Sequence, residues 1–288
     1  MRYIRTSSGP AIACLLCLFF CATLHAQDTL VLRDDTWGAT AHAGMKELQI
    51  PSAGSLLQGF IYQPNGAGKH PTLLLLHGFP GNERNLDLAQ VVRAHGWNVI
   101  YFDYRGSWGS QGSFSFMHCV EDVVNAVAFC KANAASLGID TAHIALFGHS
   151  MGGWICLKAL QELRGVEKGF ALSAWNIGRD FKTVHDKAGV ADVIKKRGYE
   201  YFVLNTAPET FFQPVIDHNE AYDLANDAQR LGRKQIVMLD EHNHNADAAN
   251  AIRSANKNYF DYAVWNTDHP FSNKRVSLMK RLLAFLDR

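Results

Sequence analysis

The stretch that decides the fold is "FGHSMGGW", Phe147–Trp154, near the middle of a 288-residue chain. Three glycines surround one serine here, although a plain turn needs only one or two. The apolar run "HIALFGHS" before the turn predicts a buried strand, and "MGGWICLKALQEL" after it has helical spacing. Ser150 is therefore expected in a tight turn between a strand and a helix, with Gly148 and Gly152 two residues away on either side.

Strands and helices alternate on both sides of this turn. "PTLLLLHG" (71–78) and "WNVIYFDYRG" (97–106) are continuous apolar runs, which are typical of parallel strands buried on both faces. "KELQI" (46–50) and "SLLQGFIYQP" (55–64) predict a hairpin. We expect a mostly parallel sheet with helices on both faces and the N-terminal hairpin at one edge.

The alternation breaks between about residues 177 and 233. This stretch is helical in pattern, rich in aromatic residues and irregular, and the strand–helix alternation resumes after it. We interpret it as a helical cap insertion that covers one end of the sheet.

Composition narrows the class of protein and its partners. The chain is 48% hydrophobic and 19% charged with a formal net charge of +1, which suits one globular domain of ordinary size. Without a basic stripe or a large positive charge, we expect no nucleic-acid partner.

The first 26 residues predict a signal peptide. Arg2 and Arg5 precede a 14-residue run, Ala11–Leu24, that is apolar except for Thr23, and the small Ala26 stands before a polar turn. The run is short for a membrane span, which needs about 20 residues. We expect residues 1–26 to be cleaved, residues 27–288 to form the domain without a membrane span, and the protein to be secreted or periplasmic.

Three cysteines remain after the signal segment: Cys119, Cys130 and Cys156. Their spacing fits no metal motif, and all lie in apolar helical surroundings. We expect small buried hydrophobic side chains, although one disulfide pair is compatible with an oxidising compartment.

The residues around Ser150 match G-x-S-x-G, the pattern of a nucleophile elbow, and the strand and helix on either side provide the required context. In such a turn the serine backbone is strained and its neighbours must lack side chains. The hydroxyl then projects from the end of the strand, close to the free N–H groups of the following helix.

With this motif and three others in order, the chain from about residue 46 onward resembles the α/β-hydrolase family. "HGFPGN" (77–82) resembles its oxyanion loop, "FDYRGSWGSQG" (102–112) its D-x-R-G-x-G-x-S turn, and "TDHPFSNKR" (267–275) its histidine loop. The resemblance implies the α/β-hydrolase fold.

The resemblance also implies roles for individual residues. Ser150 would be the nucleophile and His269 the general base, and the backbone N–H groups of Phe79 and Met151 would hold the oxyanion. The family order of serine, acid and histidine selects His269 among 13 histidines. We expect no cofactor.

The acid of the triad stays open in the sequence. Many relatives have a G-x-x-D turn after the strand that follows the insertion, whereas this chain has "VMLDEHNHNAD" (237–247). A shortened turn favours Glu241 and Asp240 equally. Asp247 ranks third, and Asp180 is a minor alternative.

Several other polar residues have simpler interpretations. We expect His77 to shape the oxyanion loop and His149 to point away from Ser150. His242 and His244 are more typical of a surface loop than of a metal site, so no metal is expected. Asp103 and Arg105, in the family's D-x-R-G turn, would hold loops together. Four aromatic residues could either form the wall of a pocket or be ordinary packing residues: Trp108, Trp175, Phe211 and Phe212.

These observations favour an exported serine hydrolase that cleaves a carboxylic ester through an acyl-enzyme intermediate. A serine peptidase or amidase acting on a short peptide is the alternative, because the loops at 77–82 and 103–112 also resemble prolyl-oligopeptidase-like catalytic domains. A non-catalytic binding protein on the same fold is less favoured, since Ser150, His269 and both oxyanion segments are present.

Overall fold

The centre of the molecule is one sheet of eight strands in a computed structural model that describes Asp34, Trp37 and residues 40–288. The expected signal segment, residues 1–26, lies outside the described residues. The strands are β1 (Gly44–Ser52), β2 (Ser55–Gln63), β3 (His70–Leu76), β4 (Asn98–Phe102), β5 (Ile139–His149), β6 (Lys168–Leu172), β7 (Gln235–Asp240) and β8 (Tyr259–Val264).

The strand order confirms the predicted sheet. Across the sheet the order is β1-β2-β4-β3-β5-β6-β7-β8. The β1–β2 hairpin is antiparallel and forms one edge, β2 pairs antiparallel with β4, and every later pair is parallel. The carboxyl ends of β3 and β5 through β8 therefore meet at one end of the sheet, where loops can form a site.

Helices cover both faces, as predicted. They are α1 (Leu86–Ala94), α2 (Phe116–Ala132), α3 (Ala134–Leu137), α4 (Met151–Glu162), α5 (Ile177–Phe181), α6 (Lys187–Arg197), α7 (Pro208–Asp217), α8 (Ala246–Ala255) and α9 (Arg275–Leu286). Apolar residues of α1 and α9 pack in one core layer, and those of α2, α4 and α8 pack in the other. Both faces of the central strands are buried, which explains their continuous apolar runs.

The helical insertion between β6 and β7 comprises α5, α6, α7 and short 3₁₀ turns. Its last part is held against α4. The Trp154 indole donates to the Tyr222 carbonyl at 2.8 Å, the Lys158 ammonium donates to the Ala221 carbonyl at 2.7 Å, and Lys158 pairs with Asp227 at 2.5 Å. Because Trp154 and Lys158 are four residues apart, they lie on one face of α4 and fix the insertion to the helix that follows Ser150.

The three cysteines expected to be small core residues are buried and free: Cys119, Cys130 and Cys156. Burial raises the pKa of the Cys130 thiol to about 12, so this thiol stays protonated at neutral pH. In the described part of the chain, no helix has both the length and the apolar character needed to cross a membrane.

Candidate active site

Ser150 occupies a strained turn at the end of β5. Its backbone has φ 59° and ψ −120°, a conformation that non-glycine residues rarely adopt. Its N–H donates to the Leu172 carbonyl at 2.8 Å, and its carbonyl accepts from the Trp175 N–H at 2.9 Å. These hydrogen bonds to the end of β6 and the segment after it hold the turn in the strained form.

Steric contacts explain the glycines of the turn. A Cβ added to Gly148 would lie 1.9 Å from the Gly152 carbonyl oxygen, and one added to Gly152 would lie 2.1 Å from that of Leu76. Both neighbours are backbone atoms and cannot rotate away. Gly78 faces the same turn, since its added Cβ would lie 3.0 Å from that of Ser150.

The resemblance assigns the oxyanion to the backbone N–H groups of Phe79, which lines the same cavity as Ser150, and of Met151, which follows Ser150 in the chain. Phe79 follows β3 and Met151 is the first residue of α4. Within the described residues, no backbone carbonyl accepts a hydrogen bond from either N–H group. These two N–H groups are therefore not used by the backbone hydrogen bonds of the described residues.

His77 shapes the loop that carries Phe79. Its Nδ1 lies 2.7 Å from the Gly78 carbonyl oxygen, and its side chain is buried. Burial lowers the pKa of His77 to about 4, so the neutral ring donates Nδ1–H to that carbonyl. The Trp108 indole also donates to the Pro80 carbonyl at 2.6 Å, which ties the loop to the turn after β4.

Glu241 contacts His269 directly. The Nδ1 atom of His269 lies 2.7 Å from Oε1 of Glu241, and the Ser173 hydroxyl donates to Oε2. Burial alone would raise the pKa of Glu241, but the hydrogen bonds from His269 and Ser173 outweigh burial and lower the pKa to about 2. The carboxylate is therefore charged at neutral pH and orients the imidazole with Nδ1–H toward itself.

Asp240, the other leading candidate for the acid, faces a different direction. Its side chain is buried, and Oδ1 accepts from the Asn245 amide at 3.3 Å. Burial raises the pKa of Asp240 to about 7. Among the described residues, no hydrogen bond or ion pair joins Asp240 to His269.

Within the described residues, none of the remaining acid candidates makes a hydrogen bond or ion pair with His269. Asp247 is exposed in the first turn of α8. Asp180 accepts from the Trp175 indole at 2.9 Å and pairs with Arg179 at 2.6 Å. Asp268, next to His269 in the chain, accepts from the Ser272 N–H at 2.6 Å.

Ser150 and His269 line one cavity of 320 Å³. The walls are formed by Phe79, Ser150, Ser173, Ala174, Trp175, Asn176, Arg179, Asp180, Glu241, His242, His244, Asn245 and His269. In the described part of the chain, the Ser150 hydroxyl makes no side-chain hydrogen bond. Catalytic hydrogen bonds are often long without substrate and tighten in the complex.

Two residues that the sequence motifs did not identify contact His269 and Glu241 in the structure. His149, beside Ser150, lies with Nε2 3.0 Å from the carbonyl oxygen of His269, and the two ring centroids are 4.7 Å apart. Burial lowers the pKa of His149 to about 4, so the ring is neutral and donates to that carbonyl. Ser173 has φ 45° at the end of β6, which turns its hydroxyl toward Glu241.

The D-x-R-G residues hold loops, but through different partners. Asp103 accepts from the Tyr101 hydroxyl at 2.8 Å, whereas Arg105 pairs with Asp122 at 2.5 Å and with Glu121 at 2.5 Å. Neither residue lines the cavity. Their contacts join the turn after β4 to its own strand and to α2.

His242 and His244 lie at the cavity wall with ring centroids 3.6 Å apart. Nε2 of His242 is 3.3 Å from Oε1 of Glu241. Over the described residues, no group of three or more His, Cys, Asp or Glu side chains could hold a metal ion.

The fold and site together define an α/β hydrolase. A sequence model described as "Serine aminopeptidase, S33" matches residues 68–236, more than half of the chain, and the protein belongs to this family. The match includes the loop of Phe79, the Ser150 turn and the helical insertion. It ends five residues before Glu241 and does not include His269.

Individual relatives match more weakly. The lysophosphatidylserine lipase ABHD12 of Danio rerio is 25% identical over 130 residues, which cover 44% of this chain but 32% of the lipase. A cutinase of Thermobifida fusca is 22% identical over 195 residues, covering 64% of this chain and 63% of the cutinase. The chain therefore matches about a third of the lipase and less than two thirds of the cutinase.

Solved structures share the fold. A bacterial brefeldin A esterase superposes with a TM-score of 0.62 at 16% sequence identity, covering 90% of this chain and 81% of the esterase. At this identity the likeness establishes the architecture alone.

Proposed function

We propose that the protein is a serine esterase that cleaves a carboxylic ester through an acyl-enzyme intermediate. The observation that carries the proposal is the 2.7 Å contact between Glu241 and His269 at a cavity that also exposes Ser150. Nucleophile, base and orienting acid are thus available at one opening, with the free N–H groups of Phe79 and Met151 beside them.

In the first step the Ser150 Oγ atom bonds to the ester carbonyl carbon, and the hydroxyl proton passes to Nε2 of His269. Negative charge develops on the carbonyl oxygen, where the N–H groups of Phe79 and Met151 stabilise it. The bond to the alcohol oxygen then breaks, and His269 gives its proton to that oxygen. Glu241 stabilises the charged imidazole throughout.

In the second step a water molecule attacks the acyl-enzyme carbonyl carbon. His269 takes a proton from this water, the bond between the acyl carbon and Ser150 Oγ breaks, and the proton returns to Ser150. The acid product leaves, and the resting protein is restored.

The charge of the cavity supports an ester rather than a peptide with a free amino end. Its two carboxylates are already engaged: Glu241 by His269 and Ser173, and Asp180 by Arg179 and Trp175. No unpaired carboxylate among the described lining residues is available to bind an α-amino group. The family description keeps a peptidase as the second candidate.

A fluorophosphonate probe tests the proposed nucleophile. We expect the purified wild-type protein to be labelled and the Ser150→Ala variant, with an unchanged melting temperature, to remain unlabelled. A well-folded wild-type protein that resists labelling would indicate a non-catalytic binding protein instead.

A substrate panel separates the two hydrolase candidates. We expect p-nitrophenyl esters to be turned over with a much higher kcat/KM than aminoacyl-p-nitroanilides. Preference for the nitroanilides would establish the peptidase alternative and reject the esterase.

Export is a further part of the proposal and rests on the sequence of residues 1–26 alone. Mass spectrometry of the protein recovered from its native host should find a chain that begins near Gln27. A mature protein that retains Met1 would reject cleavage.

A further inference from the structure

The two sides of the cavity at Ser150 are lined by different kinds of residue. Its polar wall, with Arg179, Asp180, His242 and His244, lies on segments that follow β6 and β7. Phe79 follows β3, which lies on the opposite side of β5 in the sheet. The free volume therefore extends from Ser150 toward β7, and Phe79 bounds it toward β3.

A dense aromatic cluster fills the space behind Phe79. Among the described residues, the Phe79 ring has five aromatic neighbours, at centroid distances from 5.9 to 6.3 Å: Phe114, Phe116, Trp175, Tyr201 and Phe211. Phe211 itself lies 5.1 Å from Phe114 and 4.7 Å from Phe212. Phe114, Phe116 and Phe211 are 2% exposed or less, so the wall behind Phe79 is closed to solvent.

The proposed reaction indicates which part of the ester, the alcohol or the acyl group, occupies each side of the cavity. The leaving alcohol must receive its proton from His269, which Glu241 holds from the end of β7. The alcohol therefore occupies the open polar side. The acyl group, on the other side of the reacting carbon, points toward Phe79.

We propose that this aromatic wall restricts the enzyme to short acyl groups, such as acetyl, carried on a polar alcohol, with Phe211 as the residue that closes the acyl side. The inference rests on the proposed esterase function. Phe211 packs on Phe79 from the insertion and touches no reacting atom, so it determines specificity by supporting the wall.

The chain offers a matched control in the next residue. Phe212 is also on α7 and is 0% exposed, and its ring lies 5.1 Å from Phe181, 4.7 Å from Phe211 and 5.8 Å from Phe116. Among the described residues, no ring contact joins Phe212 to Phe79. Phe211→Ala and Phe212→Ala remove equal volumes from the same helix, and only the first removes a direct neighbour of Phe79.

The experiment measures kcat/KM for p-nitrophenyl acetate, butyrate, octanoate and dodecanoate. We expect the wild type to prefer acetate or butyrate. Phe211→Ala should raise the octanoate-to-acetate ratio by about tenfold or more, because each methylene that becomes buried contributes about fourfold. Phe212→Ala should change the ratio much less, because Phe212 reaches Phe79 only through its neighbours in the wall.

A smaller change at Phe211 and a labelling assay allow the test to be made even if the alanine variant is unstable. If Phe211→Ala lowers the melting temperature too far for assay, Phe211→Leu should shift the ratio in the same direction by a smaller factor. Methyl- and octyl-phosphonate probes measure acyl accommodation through the rate of labelling, without turnover.

Each outcome separates the two proposals. A wild type that prefers octanoate, or a ratio that moves equally in both alanine variants, overturns the short-acyl inference while the esterase function stands. A folded wild type that hydrolyses no ester and reacts with neither phosphonate ends both.

Discussion

The two halves of the proposed site are built in different ways. The serine half lies within one local turn, in which Gly148 leaves room for the Gly152 carbonyl and Gly152 leaves room for the Leu76 carbonyl of the adjacent β3. The histidine half joins His269 to Glu241 across 28 residues and two strand ends. A local turn is encoded by residue types at fixed spacing, whereas a long-range contact depends on the direction in which each side chain leaves its strand.

The largest effect on stability and activity should come from a substitution that disturbs the backbone of the serine turn. Gly152→Ala would place a Cβ 2.1 Å from the Leu76 carbonyl oxygen, and this backbone atom cannot move without shifting β3. We expect a loss of about 3 kcal/mol or more in the free energy of unfolding, measured by urea denaturation, and ester hydrolysis at background. Gly44→Ala is the control, because nothing lies within 4 Å of its added Cβ. Equal stability of the two variants would contradict the steric account.

The histidine half should lose its function when the charge of Glu241 is removed, even though the fold is retained. Glu241→Gln keeps the shape but removes the charge that orients His269, and we expect kcat to fall by about 10²- to 10⁴-fold with the fold retained. Asp240→Asn, one residue earlier, should change kcat by less than about threefold, because its side chain does not face His269. Steady-state kinetics on p-nitrophenyl acetate distinguish the two. The reverse ranking would make Asp240 the acid.

His149 links the halves, since it belongs to the serine turn and donates to the carbonyl of His269. His149→Phe retains a ring but loses the donor, so the histidine loop should shift relative to Ser150. We expect kcat to fall about ten- to a hundredfold with KM unchanged, because His149 does not line the cavity.

His149→Gln supplies a replacement donor and should recover part of the lost kcat. If His149→Phe and His149→Gln are equally impaired, the hydrogen bond is not what positions His269. If His149→Phe is as active as the wild type, the link between the halves has no role in catalysis.

The smallest effect concerns stability near neutral pH. Burial raises the pKa of Asp240 to about 7 in the folded state, whereas an unfolded aspartate has a pKa of about 3.9. Between these values the folded protein binds more protons, so the stabilising contribution of Asp240 is present at low pH and is lost as pH rises to about 7. Asp240→Asn removes this dependence.

The measurement is urea denaturation at pH 5 and pH 8. Relative to the wild type, Asp240→Asn should gain about 2–3 kcal/mol between pH 5 and pH 8. Glu241→Gln should show no such gain, because hydrogen bonds lower rather than raise the pKa of Glu241. A wild type and an Asp240→Asn variant with parallel pH profiles would reject a strongly raised pKa at Asp240.

Much of the fold could be predicted because the apolar runs and the glycine turn impose local requirements. The continuous apolar strands can only be buried on both faces, and the structure confirms the parallel sheet with its hairpin at one edge. Hydrogen-bond partners were harder to predict. The turn at 103–105 suggested loop-holding contacts, but the sequence contains nothing that assigns Asp122 to Arg105 and Tyr101 to Asp103.

The sequence by itself determined the sheet and the helical layers through its apolar patterns. It also determined the position of the serine turn, because the backbone packs so closely around Ser150 that only glycine fits at Gly148 and Gly152. Only the tertiary structure decided which neighbouring carboxyl group meets His269. Side chains alternate in direction along an extended strand, so Asp240 points into the core and Glu241, one residue later, reaches the cavity. The aromatic wall behind Phe79 is likewise tertiary, since its rings come from α2, the insertion and two loops that meet only after folding.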